Sequence, residues 1–129
     1  MTTMTPLLPS TILHGAAAVI RARGWTQEDW VEPTPDEHDE ETCGVCILAA
    51  INIAAGQDPS ATLTGAALDA AMVLAEYLGL AHLLADVVNV HEAFVDVIGN
   101  GWNDTPDRTE DEVVHALRQA ALKAQEAGR

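Results

Sequence analysis

The residue types with the clearest chemical potential are two cysteines, Cys43 and Cys46, in the stretch Thr42 to Gly56. A Cys-x-x-Cys pair at a helix start has a lowered thiolate pKa because the helix dipole favours the anion, which suits thiol redox chemistry. The same pair can supply two of the four ligands of a structural zinc site. In a third hypothesis Cys46 is a catalytic nucleophile, with His91 and Asn103 as its partners.

Each of these hypotheses meets an obstacle in the sequence, which for the nucleophile is a short, helical chain with Glu40 and Glu41 where an oxyanion donor is needed. Eight acidic residues between Glu28 and Glu41 oppose thiolate formation. The histidines lack the paired spacing of a zinc finger, which leaves His38 and His91 as the best further ligands beside Cys43 and Cys46. The interpretation we favour is that both cysteines pack as small hydrophobic residues. We therefore expect a non-catalytic protein without a cofactor, and zinc is the metal that the alternative would bind.

The stretch Thr42 to Gly56 is also the one around which we expect the chain to fold. It contains no charged residue, and its branched aliphatic side chains point in every direction around a 3.6-residue repeat. A helix of this kind must be buried on most sides. Thr42 is the predicted N-cap of this central helix, and Gly56 is its predicted end.

Composition predicts an all-α protein. Hydrophobic residues make up 48% of the 129-residue chain but aromatic residues only 4%, and no two apolar runs are joined by a hairpin signal. The length suits one domain spanning 1–129, a compact bundle of about five helices around the central one. We expect residues 1–9 to form a loose N-terminal arm and residues 32–41 to form a mobile acidic loop.

The other helix boundaries follow from capping signals. These signals lie at Ser10 and Gly24, at Thr62 or Thr64 and Gly79, at Asn89, and at Thr109 and Gly128. Glu112 completes a capping box with Thr109, which makes the last helix the clearest of the set. Residues 80–88 continue the helical pattern, and Gly99 and Gly101 predict a turn before Trp102.

The charge distribution limits the classes of partner. The net charge is -14, and no Lys or Arg occurs from Gly24 to Asp107. Nucleic acids and anionic membranes bind through basic residues, so we expect neither as a direct partner. A basic surface on another protein would be attracted instead.

We therefore predict an acidic interaction or regulatory protein that binds a basic surface of a partner protein, and nucleic-acid mimicry is one form of this function. The competing interpretation is that the acids only keep the chain soluble. Both a monomer and a homodimer are compatible with the sequence. The predicted acidic face consists of Glu28, Asp29, Glu32, Asp36, Glu37, Asp39, Glu40 and Glu41, with Asp58 and Asp96 as additions.

The first residues of the chain predict a cytoplasmic location. The N-terminus lacks a positively charged region, and Pro6, Pro9 and His14 interrupt its apolar segments. The longest apolar stretches also fall short of the roughly 20 residues that a membrane span needs. Reduced cysteines are expected in such a compartment.

A second candidate site is the stretch Gly101 to Thr109, which combines an aromatic ring, an amide and charged groups. In the structural interpretation Trp102 anchors the stretch on the core, the polar side chains bond nearby backbone, and Arg108 pairs with Asp104 or Asp107. In the functional one it is a recognition loop, since such loops often carry function. Its candidate residues are Trp102, Asn103, Asp104 and Arg108.

Three stretches resemble a known family. They are RGWTQ at Arg23 to Gln27, the pair Cys43 and Cys46, and WNDTPDRTEDEVVHALRQAA from Trp102 to Ala121. Together they are similar to a family of small actinobacterial and actinophage proteins classed as a domain of unknown function. The resemblance covers about half of the chain and is most specific in the C-terminal block. It implies that source and a compact helical domain, and it implies no activity.

Overall fold

A computed structural model describes residues 7–27 and 44–129. In these two ranges the chain is all-α, as the composition predicts, with five α-helices and no β-strand. The helices are α1 (Pro9–Arg23), α2 (Ile47–Ala54), α3 (Gly65–Leu78), α4 (Val90–Phe94) and α5 (Glu110–Glu126). A 3₁₀-helix, Ala81–Leu84, precedes α4, and a π-helix, Val95–Asn103, follows it directly. The predicted acidic loop and most of the predicted arm lie outside the described residues.

The core is made of aliphatic side chains and alanines from helices that approach closely. α1 packs against α2, α3 and α5, and α2 also packs against α3 and the π-helix. At the crossing of α1 and α2, a Cβ built on Gly15 would lie 3.2 Å from the Cβ of Ala54. Because glycine leaves this space free, the two backbones can lie closer together than larger residues would allow.

The predicted central helix is buried, but its start is predicted wrongly. All residues from Ile47 to Asn52 are buried. The helix begins at Ile47 rather than after Thr42, because Val45 is extended and forms an isolated parallel bridge with Trp25. Cys46 takes the N-cap position, and its Sγ accepts a hydrogen bond from the Ala49 N–H at 3.4 Å. Thr42 itself lies outside the described residues.

Capping signals near the other helices predict their ends well. Asn89 Oδ1 accepts from the Glu92 N–H at 3.1 Å, and Thr109 with Glu112 forms the predicted capping box. Gly24 ends α1, and Gly79 ends α3 in the left-handed conformation. Thr64, one of the two predicted caps of α3, is its N-cap residue.

The start of α1 and the end of α5 differ slightly from the prediction. α1 begins at Pro9, so Ser10 lies within the helix, where its hydroxyl donates to the Arg129 carbonyl at 2.9 Å. Proline suits this position because the first helical N–H groups have no partner inside the helix. α5 ends at Glu126, two residues before Gly128.

The region between α3 and α5 shows the largest departures. Of residues 80–88 only Ala81–Leu84 are helical, and Asp86 has a left-handed φ of 56° that prevents continuation. The predicted turn at Gly99 and Gly101 is wrong, because both glycines lie inside the π-helix. Hydrogen bonds between residues five positions apart define a π-helix, and the bond from the Asp104 N–H to the Gly99 carbonyl, at 3.0 Å, is one of them.

Candidate functional site

The side chain of Asn103, at the end of the π-helix, is fully buried and joins three separate parts of the chain. Its Oδ1 accepts from the Trp25 indole Nε1–H at 2.7 Å and from the Ile47 N–H at 3.1 Å. Its Nδ2 donates to the Thr26 carbonyl at 3.1 Å and to the Asp104 carboxylate at 3.0 Å. The Asn103 side chain therefore connects two parts of the chain to the π-helix. These are the residues that directly follow α1 and the start of α2.

Backbone pairing and one further amide reinforce this arrangement. The Thr26 N–H donates to the Val45 carbonyl at 3.1 Å, and the Val45 N–H donates to the Gly24 carbonyl at 3.0 Å. Gln27 Nε2 donates to the carbonyls of Asn103 and Thr105, at 3.1 and 2.9 Å. We call residues 24–27, 44–47 and 103–105 together the Asn103 junction.

Next to this junction, Trp102 and Arg108 form a compact pair. The Arg108 guanidinium lies 4.0 Å from the centroid of the Trp102 ring, and its Nε donates to the Trp102 carbonyl at 3.1 Å. Its Nη1 pairs with Glu112 at 3.2 Å. Among the described residues, the ion pair of Arg108 is with Glu112, four positions along the chain, rather than with Asp104 or Asp107 as predicted.

The structure thus brings together the four residues predicted as a recognition loop, but they do not form a loop on one surface. Asn103 has no exposed atom, and all of its polar atoms have partners inside the protein. Trp102 and Arg108 are partly exposed, as is Asp104. A ligand can therefore reach Trp102, Asp104 and Arg108, whereas Asn103 holds the surrounding backbone in place.

Cys46 lies inside the same junction and is buried. Burial raises the pKa of its thiol to about 11, because the thiolate would lose its contact with water, and the nearby charge of Asp104 acts in the same direction. The bond from the Ala49 N–H opposes this shift only in part. A buried thiol with a raised pKa is a poor nucleophile, which agrees with the core-packing interpretation of this cysteine.

We expect the Cys46 thiol to react slowly in the native protein. In a Cys43→Ser background, the raised pKa lowers its thiolate fraction at pH 8 roughly 100-fold relative to an ordinary thiol, and burial slows the reaction further. Alkylation by iodoacetamide, followed by mass spectrometry, measures this rate. The same variant in urea is the control and should react at the rate of a free thiol. A native rate within tenfold of the control would contradict the prediction.

The raised pKa also has a pH consequence with a definite sign. The folded-state pKa of Cys46 exceeds the unfolded-state value, so the folded protein holds this proton more tightly. The resulting stabilisation is fully present below the ordinary thiol pKa of 9.0 and is lost as pH rises through about 11. A Cys46→Ala variant should therefore lose less stability over this alkaline range than the wild type does.

The predicted metal ligands are not gathered by the part of the chain that can be described. His91 lies at the start of α4, and its Nδ1 accepts a hydrogen bond from the Leu63 N–H at 3.1 Å. Cys43 and His38 lie outside the described residues. Within 7–27 and 44–129, no group of three or more His, Cys, Asp or Glu side chains is arranged to hold a metal ion. A site that includes Cys43 and His38 stays a prediction.

The eight main residues of the predicted acidic face, Glu28 to Glu41, lie outside the described residues, whereas its two additions, Asp58 and Asp96, are described and exposed. The structure does describe where this segment leaves and rejoins the fold, since Gln27 and Gly44 both belong to the Asn103 junction. No helix in the described ranges is long and apolar enough to cross a membrane.

Sequence reasoning missed the roles of Trp25, Gln27 and the π-helix. RGWTQ is part of the resemblance, yet nothing in its spacing shows that its Trp and Gln side chains reach a residue near position 103. Two glycines shortly before Trp102 are the one local signal for unusual helical backbone. π-helical segments occur frequently at functional sites, so the surface beside Val95–Asn103 is a candidate functional surface.

Comparison with known proteins decides the family. The model of DUF6197, a family of unknown function, matches residues 4–123. The chain belongs to DUF6197. All three parts of the Asn103 junction lie within the region that the DUF6197 model matches, so the junction is part of the family domain. No curated protein and no solved structure matches the chain.

Proposed function

We propose that this DUF6197 protein is a non-catalytic interaction or regulatory protein whose acidic segment, residues 28–43, binds a basic surface of a partner protein. The segment contains eight acidic residues and no Lys or Arg. The observation that carries the proposal is the position of its two ends. The Thr26 N–H and the Val45 carbonyl are hydrogen-bonded at 3.1 Å, so the chain leaves and rejoins the fold at one place.

This anchoring has an electrostatic consequence. Both ends of the segment are fixed at the Asn103 junction, so the eight acidic residues belong to a segment held at two points rather than to a free tail. A concentration of like charge produces a strong local potential, which accelerates the encounter with an oppositely charged surface. The segment therefore has the charge and the tethering that recognition of a basic protein requires.

Several basic residues of the fold are already paired with acids of the helices. Arg21 contacts Glu110 and Asp111, each at 2.7 Å. Arg129 pairs with Glu76 at 3.3 Å, and Arg108 with Glu112 at 3.2 Å. These ion pairs involve acids of α3 and α5, so the same arginines compensate charges of the helices rather than adding a separate basic surface.

The proposal also covers the molecules that the segment should not bind, and the source and location of the protein. The acidic segment should repel nucleic acids and anionic membranes, and in a mimicry mechanism its carboxylates occupy a groove that otherwise holds phosphates. The resemblance of the C-terminal block leads us to propose an actinobacterial or actinophage source and a cytoplasmic location. The proposal applies equally to a monomer and a homodimer.

Charge neutralisation tests this function. A variant with Glu37→Gln, Asp39→Asn, Glu40→Gln and Glu41→Gln is compared with the wild type in calorimetric titrations with a lysine-rich synthetic peptide. We expect the variant to bind about tenfold more weakly, and wild-type affinity to fall steeply with salt because exposed charges are screened.

The matched control neutralises four exposed acids elsewhere, Asp69, Asp86, Asp107 and Glu126. This control has the same net charge as the test variant, so it separates a local effect from a general one. Equal losses in the two variants would mean that the acids act only through net charge. Binding that survives molar salt would also contradict the proposal.

A further inference from the structure

A groove beside the π-helix combines apolar walls with an acidic edge. Its apolar lining comes from Leu80, Leu83, Val97 and Trp102, its volume is about 390 Å³, and Asp96 is its one charged lining residue. We call it the Trp102 groove. Its lining residues all come from the chain between Leu80 and Thr105, mainly from the 3₁₀-helix and the π-helix.

Several apolar side chains of the groove wall are accessible to solvent. Leu83 is 50% exposed, and Leu80, Val97 and Trp102, which line the groove with it, are partly exposed. A cluster of exposed apolar side chains beside a concave surface is typical of an interaction site, whereas single exposed residues are ordinary. The groove thus has the surface composition expected of a site that is covered by a partner.

The adjoining surface is acidic. Asp96 also lines a second depression of about 550 Å³, together with Glu92 and His91. The two depressions therefore meet at Asp96, with apolar walls on one side and a second carboxylate on the other. The lining of both depressions contains no Lys or Arg. Charge complementarity consequently favours an occupant with a positive group beside its apolar part.

We propose that these two depressions together form a docking site for a segment of a partner protein that carries an apolar side chain next to Lys or Arg. The apolar side chain enters the Trp102 groove, and the basic side chain pairs with Asp96 and Glu92. This inference rests on the proposed function only in expecting a basic partner. It assigns the contact to described residues and adds an apolar anchor, which gives specificity that charge alone lacks.

The test uses two synthetic peptides with the same number of lysines. The first is amphipathic, with leucines at i and i+4 positions that share one helical face, and the second has alanine in place of each leucine. We expect the leucine peptide to bind at least about tenfold more tightly, because leucine buries more apolar surface. It should also shift the NMR signals of the Trp102 indole N–H and the Gly101 amide.

Matched variants locate the contact. Leu83→Ala should weaken binding of the leucine peptide about tenfold, whereas Leu122→Ala, at a similarly exposed leucine of α5, should leave it unchanged. Asp96→Asn should weaken binding by a smaller factor and reduce its salt dependence. Equal effects of Leu83→Ala and Leu122→Ala would overturn the docking site, as would equal affinities of the two peptides.

The same titrations separate this inference from the proposed function. If the variant with four acids neutralised at residues 37–41 still shows the Trp102 shift with the leucine peptide, the groove binds independently of the acidic segment. If that variant loses affinity for the alanine peptide while neither peptide shifts Trp102, the acidic segment is supported and the groove is overturned.

Discussion

Replacing Asn103 with alanine is expected to lower the free energy of unfolding by about 4 kcal/mol. The substitution removes the partners of the Trp25 indole N–H, the Ile47 N–H and the Thr26 carbonyl at once. Each buried polar group left without a partner costs roughly 1 to 3 kcal/mol. For a domain whose total stability is on the order of 5 to 15 kcal/mol, this loss leaves a marginally folded protein.

Urea unfolding followed by circular dichroism at the helical signal measures the change. Asn100→Ala is the control, because Asn100 lies in the same π-helix and is exposed, and it should alter stability by no more than about 0.5 kcal/mol. The Trp25 indole N–H offers a second measurement, since its hydrogen exchange should accelerate in the Asn103 variant alone. Equal stabilities of the Asn100 and Asn103 variants would show that the junction does not hold the fold.

The second large effect is expected at Phe94, the only phenylalanine in the chain. It is fully buried and is the last residue of α4, directly before the π-helix. Phe94→Ala removes most of a large side chain from the core and should cost about 3 to 5 kcal/mol, through lost burial and the cavity left behind. The loss should reach the π-helix, whose first turn continues from this residue.

Thermal and urea unfolding measure this destabilisation, and two further variants separate its causes. Phe94→Leu keeps an apolar side chain in place and should cost less than about 1.5 kcal/mol if the neighbours repack. Val90→Ala changes an exposed position of the same helix and should have little effect. A Phe94→Ala variant as stable as Val90→Ala would show that this position is not part of a well-packed core.

The parts of the fold that the sequence predicts well depend on neighbours along the chain. The capping box of Thr109 and Glu112 and the Asn89 cap involve residues three positions apart, so the responsible atoms can be recognised locally. The all-α class is predictable for a similar reason, because it follows from composition and periodicity. The buried stripe of α5 is likewise visible as apolar residues at helical spacing.

The start of α2 could not be predicted because a distant residue determines it. The Ile47 N–H is capped by Asn103, 56 positions away, and the preceding backbone is paired with residues 24–26. Thr42 has a side chain suited to a cap, but the boundary is decided by a tertiary contact that the local sequence does not show. The π-helix was missed for a related reason, since two glycines suggest a turn as readily as a wide helix.

The candidate site also has features that the local sequence predicts and features that depend on distant residues. Trp102, Asn103, Asp104 and Arg108 could be selected from their types, but their separation into one buried anchor and three accessible groups depends on packing. The Trp102 groove also depends on Leu80 and Leu83, which the sequence presents only as apolar positions of a helix. Local patterns therefore identify polar candidates better than they identify concave apolar surfaces.

The paired backbone at Thr26 and Val45 has a consequence for how this domain can vary. The bonds between residues 24–26 and Val45 hold the two ends together, and they are formed entirely by residues at the ends. Loop-closure entropy grows slowly, so doubling the number of residues between the ends costs roughly 0.6 kcal/mol. We therefore expect the pairing of Thr26 with Val45 to persist when residues are inserted or exchanged between Gln27 and Gly44.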